Sequence, residues 1–166
     1  MRGFAVAVLT GVSACVSGCG GAPPAGPPEI RFGIDACDSC GMAIAEPRYA
    51  AAAIADDGAE GRTLKFDDIG CLARWEAGAA GPTVRQRWVH DRSTEAWIDA
   101  NTATFAEVQQ LSTPMGSGIA AFASRPDAKD LVAARGGEEL SWSAILARAR
   151  GGFLKARPDS RREEAR

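Results

Sequence analysis

Three sulfur side chains fall within six residues at Cys37-Asp38-Ser39-Cys40-Gly41-Met42. A Cys-x-x-Cys turn can bring two sulfurs close enough for a disulfide or a shared metal. The adjoining Gly41-Met42 favours the metal. Thiolates and thioethers are soft donors that select Cu(I) over harder divalent ions. A thioether has no proton to lose, so a mixed Cys/Met site holds Cu(I) with little added negative charge. A site of three or fewer sulfurs also leaves room for an acceptor's ligand, as an exchange reaction requires.

Other metals fit the spacing less well. Structural zinc prefers four ligands, often in two pairs. This chain has one Cys-x-x-Cys, a solitary Cys71 and a single histidine, His90. Haem attachment through Cys-x-x-Cys-His fails because Gly41 stands at the histidine position. A Cys37–Cys40 disulfide would close a very short loop and contribute little unfolded-state entropy.

Five further residues are candidates. Cys71 lies near the start of a predicted helix, where N-terminal amides favour a thiolate, so it reads as a secondary ligand, a transfer group or a buried core cysteine. Asp67 and Asp68 read as helix caps or a partner-facing acidic pair. His90 lies in an alternating strand and reads as a satisfied polar residue before a ligand. Thr113-Pro114-Met115-Gly116-Ser117-Gly118 surrounds one methionine with loop-forming residues, which predicts an exposed thioether and makes Met115 a copper-ligand candidate.

The N-terminus bears on the compartment. Arg2 precedes the apolar run Phe4–Val12, which is too short to span a bilayer and fits a signal-peptide core. Val12-Ser13-Ala14-Cys15 and Val16-Ser17-Gly18-Cys19 each resemble a lipobox, in which small residues flank the cut and the cysteine receives diacylglycerol. Cys19 is preferred over Cys15 on the length of the apolar core. The Pro/Gly-rich residues that follow it read as a semi-extended spacer. The organisation expected is a lipoprotein signal peptide over 1–18, a lipidated cysteine and linker over 19–28, one copper-binding domain over 29–150, and a basic, disordered tail over 151–166.

The elements that must position these groups follow from pattern. Tyr49–Ala55 and Arg62–Phe66 flank a Gly- and Asp-rich turn and read as a β-hairpin, although alanine is a weak strand former. Asp67-Asp68 caps a helix of two to three turns carrying Ile69, Leu72 and Trp75. Val84–Asp91, Glu95–Ala100 and Ile119–Ala123 read as strands. Pro126 opens a helix over Asp127–Arg135 that Gly136-Gly137 stops, and Ser141 caps a last helix with Trp142, Ile145 and Leu146. The class is α+β, with a faint twofold echo of methionine, strand, then helix from Met42 and again from Met115.

Composition excludes several functions. Of 166 residues, 46% are hydrophobic and 24% charged, and the net charge of −2 gives no footprint for nucleic acid. Residues 148–166 carry seven Lys/Arg against three Asp/Glu, a local +4 that leaves −6 for the rest. No phosphate-binding glycine loop is present, and one histidine serves no convincing Ser/His/Asp set, so hydrolytic and phosphoryl chemistry are not expected.

Taken in order, these pieces resemble the NosL-type copper lipoproteins: the Cys19 lipobox, Cys37-x-x-Cys40-Gly41-Met42, Tyr49-Ala50-Ala51, Phe66-Asp67-Asp68-Ile69-Gly70-Cys71, Trp88-Val89-x-Asp91, Trp97-Ile98-Asp99-Ala100, Pro114-Met115-Gly116-Ser117-Gly118 and Ala121-Phe122. The resemblance implies two small ββαβ-like units and a lipid-anchored accessory protein on the periplasmic face of a bacterial membrane. It implies that one Cu(I) per chain is carried for the copper centres of nitrous oxide reductase, with an ABC-type maturation complex or the reductase as partner. Cys40 and Met42 match the family's Cys-Gly-Met metal motif, and Met115 matches its Pro-Met loop. Leu72 stands where many relatives have methionine, and the basic tail matches no family feature.

The expectation is therefore a non-enzymatic Cu(I) chaperone. Cys40 and Met42 hold the ion, Met115 and Cys37 complete the site, and Cys71, His90, Asp67 and Asp68 are secondary or transfer candidates. The alternative from another class is a periplasmic thiol–disulfide oxidoreductase using Cys37 and Cys40. No βαβ pattern surrounds that pair, and the alternative leaves Met42 and Met115 unexplained.

Overall fold

The computed structural model describes residues 26–56, 61–78, 83–152 and 154. The signal peptide, both lipobox cysteines and most of the expected tail lie outside them. Within the described residues no helix is long and apolar enough to cross a membrane.

The described residues build two antiparallel sheets and three α-helices. The first sheet contains β1 (Ala51–Ala55), β2 (Arg62–Phe66), β3 (Val84–His90) and β4 (Trp97–Asp99), in the order β2-β1-β3-β4. The second contains β5 (Thr104–Glu107), β6 (Ile119–Phe122) and β7 (Glu138–Leu140), in the order β6-β5-β7. Helix α1 (Ile69–Glu76) joins β2 to β3, α2 (Arg125–Arg135) joins β6 to β7, and α3 (Trp142–Arg150) follows.

The twofold echo is topological. In both halves a hairpin is followed by a helix and a third strand, and the first strand ends up between the other two. The α+β class read from the sequence and the two ββαβ-like units that the resemblance implies therefore both stand.

Alanine-rich β1 forms despite weak propensity because tertiary context overrides it. All five of its residues are buried, and it pairs along its length with β2, Ala51 opposite Phe66, and with β3, Ala51 opposite Val89. Small side chains suit a central strand covered on both faces.

Several boundaries differ from expectation. Strand β4 is limited to Trp97–Asp99 because Asp91 ends the preceding strand early. The Asp91 carboxylate accepts hydrogen bonds from the Ser93 and Thr94 amides, closing a turn, and from the Ala123 amide of the other half. Helix α2 begins two residues sooner, with Ser124 as cap and Pro126 in its first turn. Strands β5 and β7 were not anticipated. They are short, and each is fixed by its pairing partner, Phe105 opposite both Ala121 and Leu140.

The halves are joined by a parallel bridge between Asp91 and Ala121 and share one core. A second cluster, including Val108, Leu111, Phe122 and Ala128, lies beneath α2. Leu154, in the stretch expected as tail, is buried against the main core.

Candidate metal centre

The site forms where the end of β2 meets the start of α1. Asp68 is the N-cap of α1, its side chain accepting from the Gly70 amide at 2.7 Å. That cap ends the strand and places Asp67 at the sheet rim and Cys71 in the first helical turn.

The Cys-x-x-Cys segment reaches the rim by an edge contact. The Asp38 amide donates to the Lys65 carbonyl at 2.9 Å, and the Lys65 amide donates to the Asp38 carboxylate at 2.7 Å. Asp35, held by Lys65 Nζ at 2.6 Å and Arg31 Nε at 2.8 Å, fastens the base of the same segment. The turn itself closes through the Gly41 amide to the Cys37 carbonyl and the Cys37 amide to the Met42 carbonyl, each 2.8 Å. Gly41 has φ of +75°, which glycine adopts without the steric cost of a Cβ.

Cys37, Cys40, Asp67 and Cys71 each offer a ligand atom, and these atoms all lie within 4.8 Å of one another. A metal–sulfur bond of about 2.3 Å, the zinc–thiolate value, sets two sulfurs about 3.8 Å apart at a tetrahedral angle and about 4.6 Å apart in a line. The cluster accommodates either geometry. All three thiols are free; Cys37 and Cys71 are buried and Cys40 is exposed. The Cys40 thiol faces Asp67 Oδ1 at 3.7 Å, and the Arg74 guanidinium donates to Cys71 Sγ at 3.2 Å.

The thiols do not ionise alike. Hydrogen bonding from Cys71, against the cost of burial, holds Cys37 below an ordinary thiol. That same bond, with burial added, pushes Cys71 up. Burial and the neighbouring Cys37 raise Cys40 to about 11. Burial first, and then Cys37, raise Asp67 to about 6. Crowding of acidic groups on this scale favours a cation that can neutralise them together.

The remaining candidates are placed as follows. Met42 is 55% exposed. Met115 is half-buried against the main core, and its amide donates to Asp68 Oδ2 at 3.0 Å. Asp68 is fully buried, spending one oxygen on the cap and the other on the Met115 loop, so it acts as a structural joint. His90 stands apart from the cluster, its ring between Phe32 at 6.0 Å and Trp97 at 3.9 Å. Sequence reasoning ranked Cys71 and Asp67 below the methionines, whereas the fold gathers both with Cys37 and Cys40. The available signal was an Asp-capped helix carrying cysteine in its first turn. The pairing of residue 38 with residue 65 had no sequence signature.

Fold and site together define a small α+β protein with a thiol-rich candidate metal centre at a sheet rim. A model of the NosL family matches residues 33–149, and the chain belongs to that family. It is a copper-chaperone family without enzymatic activity. Among solved structures, the chain is similar to the copper chaperone NosL from Shewanella denitrificans, with a TM-score of 0.65 and 22% identity over 73% of this chain and 96% of that one. That likeness shows a shared fold. Comparison with curated proteins finds no match.

Proposed function

We propose that this protein carries one Cu(I) per chain and passes it on for maturation of the copper centres of nitrous oxide reductase. The observation that carries the proposal is the thiol cluster of Cys37, Cys40 and Cys71 beside Asp67, opening to solvent at Cys40 and the exposed Met42. Soft sulfur ligands select monovalent copper, and an exposed side lets an acceptor's sulfur attack. Cys40 and Met42 are the ligands nearest solvent, and Cys37 and Met115 complete the set expected from the sequence.

Family membership supports the reductase as client. A lipid at Cys19, or alternatively Cys15, would hold the carrier at the periplasmic face of a membrane within reach of an ABC-type maturation complex. Delivery proceeds by ligand exchange through a shared, three-coordinate intermediate.

The test is anaerobic titration with Cu(I) against a chromophoric chelator. One tight equivalent is expected, with a large loss in the Cys37→Ser, Cys40→Ser, Cys71→Ser triple variant; undiminished affinity in that variant removes this site. A second reading has one observation in its favour: three thiols and a carboxylate are also a four-ligand zinc set. Competition with both ions decides. Zinc retained against equimolar Cu(I) would overturn the copper assignment.

A further inference from the structure

The sulfur groups at this rim are not equivalent towards solvent. Cys37 is 2% exposed and Cys71 0%, whereas Cys40 and Met42 both face out. The Cys40 sulfur nevertheless lies within 4.8 Å of both buried sulfurs, and Met42 follows it two residues on in the same turn. An ion can therefore change its sulfur partners here without crossing open space.

Charge separates the two arrangements. Cu(I) between two thiolates has a net charge of −1, and burying an uncompensated charge is costly. Cu(I) on one thiolate and one thioether is neutral and needs no counter-ion. Arg74 stands one helical turn beyond Cys71 with Nη2 3.2 Å from its sulfur, while Nη1 lies 3.5 Å from the Leu154 carbonyl. It is half-buried, and among the described residues it forms no carboxylate salt bridge. A guanidinium fixed against a buried thiol, with no acid to pair with, supplies the one positive charge that an inner bis-thiolate complex lacks.

We propose that the centre is two stations in series: an inner holding station on Cys37 and Cys71, neutralised by Arg74, and an outer exchange station on Cys40 and Met42. The proposal rests on the copper-carrier reading and deepens it. In the transfer between stations, Cys40 loses its proton and binds copper while copper remains on Cys37. The Cys71–copper bond then breaks, and Cys71 takes up one proton. Met42, which has no proton to lose, then binds the copper, the Cys37–copper bond breaks, and the Cys37 thiolate takes one proton from solvent. Copper stays monovalent throughout, and no oxidant or reductant is consumed. Asp67, a hard oxygen donor that suits Cu(I) poorly, is a ligand of neither station.

The experiment uses the full chain loaded anaerobically with one Cu(I). Affinity is read by competition with a chromophoric Cu(I) chelator, release by stopped-flow capture with the same chelator, and the number of sulfur neighbours by copper X-ray absorption. Cys71→Ser is expected to keep one copper, bind it at least about tenfold more weakly and release it correspondingly faster. Arg74→Gln should move both quantities the same way, and Arg74→Lys should restore most of the loss, which a purely structural arginine would not predict. Cys40→Ser should hold copper tightly but release it more slowly than the parent. Should the parent bind copper while Cys71→Ser and Arg74→Gln leave affinity and release within about twofold, the two-station arrangement is wrong and the carrier reading survives. A parent chain that binds no Cu(I) overturns both. Circular dichroism of Arg74→Gln, whose side chain touches no substrate ion, separates a folding defect from a lost counter-charge.

Discussion

The hydroxyl of Thr113 donates a 2.7 Å hydrogen bond to Asp68, 45 residues earlier in the chain and fully buried. The same carboxylate oxygen accepts from the Met115 amide, and the other oxygen caps α1. One side chain thus ties the helix that bears Cys71 to the loop that bears Met115.

Thr113→Val should destabilise the fold by about 1–2 kcal/mol, because it leaves buried polar groups short of a partner. Asp68→Ala should cost more, about 3 kcal/mol, since it removes a helix cap as well. Urea denaturation measures both. Equal effects would mean that the cap contributes nothing beyond the loop tie.

The same contact makes a demand on Gly70. A Cβ built there would lie 2.5 Å from Ser117 Cβ and 3.0 Å from Asp68 Oδ1. Alanine is the better helix former by about 1 kcal/mol, yet overpacking typically costs 1–3 kcal/mol. Gly70→Ala should therefore be net destabilising and should weaken Cu(I) binding by displacing the Met115 loop. A stabilised variant with unchanged copper affinity would show that the loop is free to move aside.

Much of this arrangement was legible beforehand, for identifiable reasons. The α1 cap, the helix spacing and the β1–β2 hairpin are local, so residue type and period suffice to find them. The metal cluster is non-local. Cys37 and Cys71 are 34 positions apart and meet because Asp38 docks on the outer edge of β2 through its amide and its carboxylate, a long-range contact that no local spacing announces. Strands β5 and β7 were missed for the same reason. Their three or four residues have no period of their own and are selected by the partners they pair with.

His90 gives a prediction about pH. It is 5% exposed, and neither ring nitrogen has a hydrogen-bond partner among the described residues. Burial lowers its proton affinity, against a weaker opposing pull from Glu95. The unfolded chain takes up a proton near the ordinary value of about 6.5 while the folded chain does not. The linked stability is therefore present above that value and lost as pH falls below it, by up to about 1.4 kcal/mol per pH unit. Denaturant midpoints at pH 7.5 and 5.5 should fall closer together in His90→Phe than in the parent. Identical pH slopes would show that His90 finds a partner in solution.

The unequal exposure of the three domain cysteines can be read by chemical labelling. In the folded, reduced protein Cys40 is the accessible thiol, while Cys37 and Cys71 are sealed. Because burial and Cys37 raise Cys40 to about 11, few Cys40 thiolates exist near neutral pH. Alkylation should therefore modify Cys40 alone, at a rate below that of a free thiol, and should speed up as pH rises towards that value. Denaturation should make all three react. Peptide mapping by mass spectrometry reports each site separately. Rapid labelling of Cys71 in the native protein would mean that the rim opens far more often than its burial implies.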